Sequence, residues 1–514
     1  MVEKSIEYKI FLTVSLLVII IGVVLRTYHI FIVGFNAPWG AGGLYLEFAR
    51  QIFQNNYSIP VTIPHYTYGG LPFAYPPLPF FVESFLVFSL GLPEYLVVNL
   101  LPPFVSIISL ILFFILSKKV LKNKYAQLLS RVLYAIMPIS YMEQVEGAGL
   151  AESFGTLFII LLLLVFWLYY QNPYRISSLF LSSLVWGLTV TASPASAYVS
   201  VFIFFTLFFM LIGKEKGNLN KMILYILIMG LLAVLISSFY WGTVIKNHGL
   251  GLLVNSFMTQ HEGSFFILSF IVRLAKMDLI INEPLLSILY IAALFVLLFK
   301  KRYELLFLSV FSVLIPRENW IMGIIGILII GIASDLILKN LPDDFLKRGN
   351  QSFSVHITII AVAGILFLRP LYFVLTRELI REHSLNKTQI RLLENIKVDP
   401  SFGENLIILG NNEFLEWAPY ITEKSVLNVW FGTELAPSKF WVQDAHKSLI
   451  DCENIECINQ IISSNFEYDA VSVVIDLNFL DDFKTENFSD VETDTPVKII
   501  NDRFIYYSVD EFSD

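Results

Sequence analysis

Apolar runs of bilayer length recur from near the start of this chain to Leu375, and that recurrence constrains its fold more than any other feature. Crossing ~30 Å of hydrocarbon takes about 20 apolar residues as a helix, and inside it only helices and closed barrels satisfy their own backbone. The runs are Ile10 to Leu25, Tyr95 to Ser117, Tyr125 to Tyr141, Phe154 to Tyr170, Ser177 to Thr191 and Ala195 to Ile212. They continue with Met222 to Trp241, Glu283 to Phe299, Leu305 to Ile315, Trp320 to Leu338 and Phe353 to Leu375. About eleven crossings are expected, several at the short end of the range. With 56% of residues hydrophobic and 15% charged, the class is a mainly α polytopic membrane protein. The segment MVEKSIEYK before the first run, and Arg26-Thr27-Tyr28-His29 after it, carry no small-x-small cleavage site, so this run reads as a retained first span.

Basic residues fall on alternate connections: Lys4 and Lys9, Lys118 to Lys124, Arg175, Lys214 to Lys221, Lys300 to Arg302, and Lys339 to Arg348. Such clusters mark cytoplasmic ends, which puts the N-terminus inside a cell membrane. The run from Pro79 to Leu92 is short and bounded by prolines, and counting it as a crossing would invert every later loop. It is therefore expected to be re-entrant or interfacial, making residues 26–94 one long outer loop of a membrane domain spanning 1–375. The other outer connections are then Met142 to Ser153, Gly242 to Asn282 and Pro316 to Asn319, the second with an amphipathic piece near Phe265 to Lys276.

Beyond Thr376 the composition turns polar. Short β-like runs at Asn405 to Gly410, Ser425 to Phe431, Asp469 to Ile475 and Val497 to Val509 alternate with helix-like runs at Lys387 to Ile396 and Cys452 to Ser463. Residues 376–514 are thus expected to form a small extracytoplasmic α/β domain. Cys452 and Cys457, the two cysteines, could bridge there, although their spacing within a predicted helix suits a disulfide poorly. Sequons at Asn56, Asn386 and Asn487 lie on predicted outer segments and one at Asn350 does not. A net charge of −8 argues against nucleic acid as a partner.

The stretch from Trp39 to Phe81 organises the long loop. Leu44, Phe48 and Ile52 recur at helical spacing with Glu47, Arg50 and Gln51 opposite, which describes a short amphipathic helix on the bilayer surface. Tyr75-Pro76-Pro77 then locks the chain. The glycines near Gly40 and Gly147 lack the strand, helix and lysine of a phosphate loop and read as tight turns.

In order along the chain, LYLEFARQI, YPPLPFF, Met137-Pro138 followed by EQVEGAGLAESFG, the Ser193-Pro194 break and Pro316-Arg317-Glu318-Asn319-Trp320 resemble the GT-C superfamily of polytopic glycosyltransferases. That family includes protein O-mannosyltransferases and the aminoarabinose transferases of lipid A. The resemblance covers roughly Ile10 to Leu338 and implies transfer of a sugar from a polyprenyl-phosphate or diphosphate carrier to a glycan, lipid or protein acceptor on the outer face, with inversion at the anomeric carbon. Such chemistry wants a carboxylate to take the acceptor's proton and a cation at headgroup depth for the leaving phosphate. Glu152, Glu146 and Glu47 are the candidate acids, and Arg317 and Arg26 the candidate phosphate contacts.

One departure stands out. The family places an acid, commonly Asp, at the start of the surface helix, where this chain has Ala41, Gly42 and Gly43; Glu47 is one turn further on. No cofactor is required by the sequence, and His65, His248 and His261 show no metal-ligand spacing, while some family members hold a divalent ion between carboxylates. Two other classes of answer are a non-catalytic relative that binds a lipid-linked glycan or a partner protein, favoured by the missing acid, and a transporter. The latter is disfavoured by the lack of ionic pairs within spans and of an internal repeat.

Overall fold

The computed structural model describes residues 2–34, 38–214, 218–259, 284–313, 319–339, 385–433, 436–466, 470–477, 498–500 and 503–510. Its first part runs α1 (Val2–Val33), α2 (Gly43–Gln54), β1 (Thr62–Ile63), β2 (Leu71–Pro72), α3 (Leu78–Ser84, continued by a π turn Phe85–Ser89), α4 (Glu94–Val120) and α5 (Lys124–Ile136). There follow α6 (Met142–Val145), α7 (Leu150–Gln171), α8 (Ile176–Val190), α9 (Pro194–Lys214), α10 (Leu219–His248), α11 (Leu250–Thr259), α12 (Pro284–Phe299), α13 (Tyr303–Val313) and α14 (Asn319–Leu338).

Lys9–Phe31, Glu94–Val120, Gly147–Gln171, Pro194–Lys214 and Leu219–His248 are long and apolar enough to cross a membrane. Ile176–Val190, Leu286–Phe299, Tyr303–Ser312 and Gly323–Leu338 are shorter apolar helices. The chain is a polytopic membrane protein, and every expected span that falls on described residues is helical. The expected span Phe353 to Leu375, the amphipathic piece Phe265 to Lys276 and the domain boundary at 375/376 lie outside the described residues. Leu78–Ser89, at about 1.5 Å per residue, is too short to cross and packs beside α2.

Several helix ends differ from expectation, and α1 runs from Val2 to Val33, past both ends of the expected Ile10 to Leu25. The expected span Tyr125 to Tyr141 stops as a helix at Ile136, because Met137 is extended ahead of Pro138. In contrast, α10 runs past Trp241 to His248, since Thr243 to Asn247 contain no breaker and Val244 is buried. Hydropathy marks where the bilayer ends, not where a helix does.

The second part carries α15 (Lys387–Val398), β3 (Asn405–Leu409), α16 (Asn412–Thr422), β4 (Ser425–Val426), α17 (Trp441–Ile450), α18 (Ile455–Asn465), β5 (Ala470–Asp476), β6 (Lys498–Ile500) and β7 (Phe504–Asp510). The strands form one sheet in the order β4-β3-β5-β7-β6, parallel across β4, β3 and β5 and antiparallel beyond. Period-two alternation sends Leu406 and Ile408 to the face shared with the first loop, and Ile407 and Leu409 to the face covered by α17 and α18. The run from Val497 to Val509 is a hairpin of two strands, not one. Helices α16 and α17 were not expected from the pattern. Cys452 and Cys457 are bonded, contrary to the expectation from spacing, because α18 begins at Ile455 and leaves Cys452 in the preceding turn.

Candidate active site

The start of α2 has no cap of its own. Gly42 precedes it and has no side chain to bond the first free N–H groups, which a helix must satisfy from elsewhere. The carboxylate of Glu416, on α16, accepts all three: Gly42 N–H at 3.1 Å, Gly43 N–H at 3.0 Å and Leu44 N–H at 2.7 Å. Trp417 Nε1 donates to the Gly40 carbonyl at 3.0 Å, and the Tyr66 hydroxyl to the Glu416 carbonyl at 2.9 Å. Gly43 is bare for a reason: a Cβ there would lie 2.9 Å from Trp417 Cα. Val426 N–H donates to the His65 carbonyl at 2.9 Å, so the loop also extends the sheet beyond its β4 edge. Loop and second part thereby share one core, in which Phe48, Tyr66, Phe73 and Phe80 meet Leu415, Trp417 and Tyr420.

Across from this start lies the acidic turn between α5 and α7. Gly147 N–H donates to the Trp39 carbonyl at 3.1 Å, and a Cβ on Gly40, whose φ is +66°, would sit 3.2 Å from Glu146 Cβ. Glu146 and Glu152 are half-buried while Glu143 is exposed. One turn along α7 from Glu152, Gly155 is bare because a Cβ there would meet Ser193 Oγ at 2.6 Å and the Trp320 ring at 3.0 Å. Segments far apart in sequence thus converge: Trp39 to Gly43, Glu146 to Glu152, the Ser193-Pro194 break and the start of α14. A half-buried carboxylate beside tight backbone can take a proton from a hydroxyl brought to it.

Not every candidate joins this cluster. Glu47 is fully buried on the far face of α2, ion-paired with Arg50 at 3.0 Å and accepting from Gln51 Nε2 at 2.8 Å. Arg50 in turn donates to the Tyr420 carbonyl at 3.1 Å, with its guanidinium 3.9 Å from that ring's centroid. Burial pushes the Glu47 carboxyl up, against the pull of Arg50 and Gln51. The amphipathic pattern put Glu47 on a polar face open to water; in fact the second part covers that face. Glu47→Ala is expected to leave Arg50 without its closest anion and to cost about 3 kcal/mol, read as a lowered midpoint of thermal unfolding in detergent.

Arg26 is also fully buried. Its guanidinium donates to the carbonyls of Gly22, Tyr134 and Ala135 at 3.0, 3.2 and 3.1 Å, and to Ser106 and Ser140 hydroxyls at 3.1 and 3.4 Å. Those donors are committed to joining helices beneath the acidic turn, and Ser106 passes the connection on to Gln144 Oε1 at 3.0 Å. Arg317 lies outside the described residues; Trp320, three positions on, stands against Gly155 and Ser193. Among the described residues no group of three or more His, Cys, Asp or Glu side chains is placed to hold a metal ion. His248 bonds the Val61 carbonyl at 2.9 Å, and His446 is buried against Asn428. Glu416 was missed by sequence reasoning, and the Asn411 cap bonding Phe414 N–H was the one local signal for its helix.

Searches with the sequence alone find no matching family model and no matching curated protein. Solved structures do match. The oligosaccharyltransferase AglB of Archaeoglobus fulgidus, in complex with an inhibitory peptide and a dolichol-phosphate, is 14% identical with a TM-score of 0.55 over 91% of this chain and 69% of its own. ArnT of Cupriavidus metallidurans, bound to undecaprenyl phosphate, is 12% identical with a TM-score of 0.53 over 98% of this chain and 97% of its own. The chain has the GT-C fold. The mycobacterial arabinofuranosyltransferase AftD aligns similarly, with 11% identity and a TM-score of 0.51 over 92% of this chain and 35% of its own. In this chain a helical bundle meets a smaller α/β part through the first loop, a contact that the sequence pattern did not foretell.

Proposed function

We propose that this protein is a membrane glycosyltransferase that moves a sugar from a polyprenyl-phosphate-linked donor to an acceptor at the outer membrane face. The observation that carries the reading is the convergence of the Glu146–Glu152 turn, the Trp39–Gly43 segment, Ser193 and Trp320 at one end of the bundle in a GT-C fold. The solved ArnT and AglB structures contain undecaprenyl phosphate and dolichol-phosphate, which supports a lipid phosphate carrier here. The acceptor hydroxyl gives its proton to Glu152 or Glu146 as its oxygen attacks the anomeric carbon. The carrier leaves as a phosphate whose growing charge Arg317 stabilises. The Cys452–Cys457 bond suits an oxidising compartment, which supports an extracytoplasmic second part and a cytoplasmic N-terminus.

The test is turnover of a short-chain polyprenyl-phosphate sugar by purified protein, with wild type beside Glu146→Gln, Glu152→Gln and Arg317→Ala. Loss of a general base should lower kcat by about 10²- to 10⁴-fold in one Glu variant. Arg317→Ala should weaken donor binding. The capped start of α2, where the resembling family has an acid, favours a second reading, a non-catalytic relative that binds a lipid-linked glycan. Binding with no turnover across several donor sugars would select it.

A further inference from the structure

We propose that Glu416 is a positioning residue for the transfer reaction. It takes the place of an N-terminal cap on α2 and holds the Trp39–Gly43 segment against the turn that carries Glu146. The proposal rests on the transferase reading above.

Three backbone N–H groups converge on one carboxylate from a residue more than 350 positions away, and that carboxylate is fully buried. With Gly42 and Gly43 at the start of α2, nothing local can replace it, so without Glu416 the first turn of α2 has three donors buried and unbonded. The bare Gly43 backbone lies on Trp417, and Trp417 in turn holds the Gly40 carbonyl. Trp39, Gly40 and Ala41 in turn touch Glu146 and Gly147. From Glu416 to the acidic turn the path is therefore two layers of direct contact. Glu416 itself is shut away from any substrate, which is why its role is to position and not to react.

The charge state of the latch adds a signature that a merely structural contact would lack. Burial pushes the Glu416 carboxyl from 4.5 up to about 7, against the pull of the three N–H groups. The other groups facing it are the Tyr66 hydroxyl, which bonds its carbonyl, and Glu413 on its own helix, whose charge raises it further. Because the docked value is the higher one, docking is strongest below pH 4.5 and weakens as pH rises through about 7.

The experiment compares full-length wild type, Glu416→Gln and Glu416→Ala in two ways: amide hydrogen exchange over residues 39–46 at matched pH, and initial rates with a short-chain polyprenyl-phosphate sugar across pH. Exchange over 39–46 is expected to accelerate roughly tenfold or more in Glu416→Ala, with Glu416→Gln between. In parallel kcat should fall roughly tenfold or more while donor KM stays within about threefold. The wild-type rate should carry a limb that declines as pH rises through about 7, and Glu416→Gln should lack it. Glu416→Gln keeps the shape and one acceptor oxygen, so it reports even where Glu416→Ala folds poorly. Unchanged exchange in both variants overturns the proposal, as does faster exchange with unchanged kcat and pH profile. A wild type that turns over no donor removes the transferase reading instead, and the exchange comparison then decides alone whether Glu416 holds the loop.

Discussion

Arg26→Leu is expected to destabilise the bundle by about 3–5 kcal/mol, the scale of breaking a buried charged network. The guanidinium donates to three carbonyls and two hydroxyls contributed by α1, α4, α5 and the turn that follows α5. It also lies over the rings of Tyr134 and Tyr141, 5.6 and 5.0 Å from their centroids. A leucine fills much of the volume and removes the charge but takes a donor from the Ser106 hydroxyl and the Ala135 carbonyl, while the Tyr134 carbonyl keeps only the Ser140 hydroxyl. The loss should appear as a large drop in the thermal midpoint of the detergent-solubilised protein. A second consequence is specific to position. Ser106 also bonds Gln144, two residues before Glu146, so exchange in 142–147 should rise more than in the distant α12 and α13. If Arg26 instead met a donor phosphate in the membrane, Arg26→Leu would weaken donor binding while leaving the midpoint near wild type.

Gly147→Ala is the second large effect. A methyl group there would collide with the Ala41 carbonyl and come within 2.7 Å of the Val98 side chain and 3.2 Å of the Trp39 carbonyl. Two of those three neighbours are backbone, so relief requires the Trp39–Ala41 segment and the Glu146–Gly147 turn to move apart. A displacement near 1 Å in catalytic geometry costs about 10²-fold in rate. The prediction is therefore a loss of roughly that size in kcat, with the bundle still folded because α4 and α7 pack through other residues. Gly155→Ala makes a fair comparison, since its methyl would press on the Ser193 and Trp320 side chains, at 2.6 and 3.0 Å, and not on backbone. A smaller loss is expected there. Equal, near-wild-type rates in both variants would show that this junction is not where the reaction occurs.

Much of the membrane part was legible in the sequence, because the bilayer is a solvent that punishes polar groups over a fixed thickness. Runs such as Phe154 to Tyr170 and Trp320 to Leu338 could hardly be anything but buried helices, and the short, proline-bounded Pro79 to Leu92 could hardly cross. The unbroken apolar run Leu406 to Leu409 likewise announced a strand, and the structure covers it on both faces. The amphipathic helix at Leu44, Phe48 and Ile52 was visible for the same reason of local periodicity.

What local pattern could not supply was which surfaces meet. Glu47 looked solvated because its own helix face is polar, and it is buried because α16 lies over that face. Helix α16 escaped notice because it carries Pro419 inside it, a residue that reads as a helix breaker, although Asn411 caps it. The absent acid at the start of α2 read as a gap, whereas the fold fills that gap with Glu416 from the other end of the chain. Periodicity, capping and hydropathy act over one or two turns, and the sequence by itself determined the elements they govern. The pairing of Glu416 with Gly42, Gly43 and Leu44 arises only when two hydrophobic surfaces hundreds of residues apart are buried together, and that the tertiary structure alone decided.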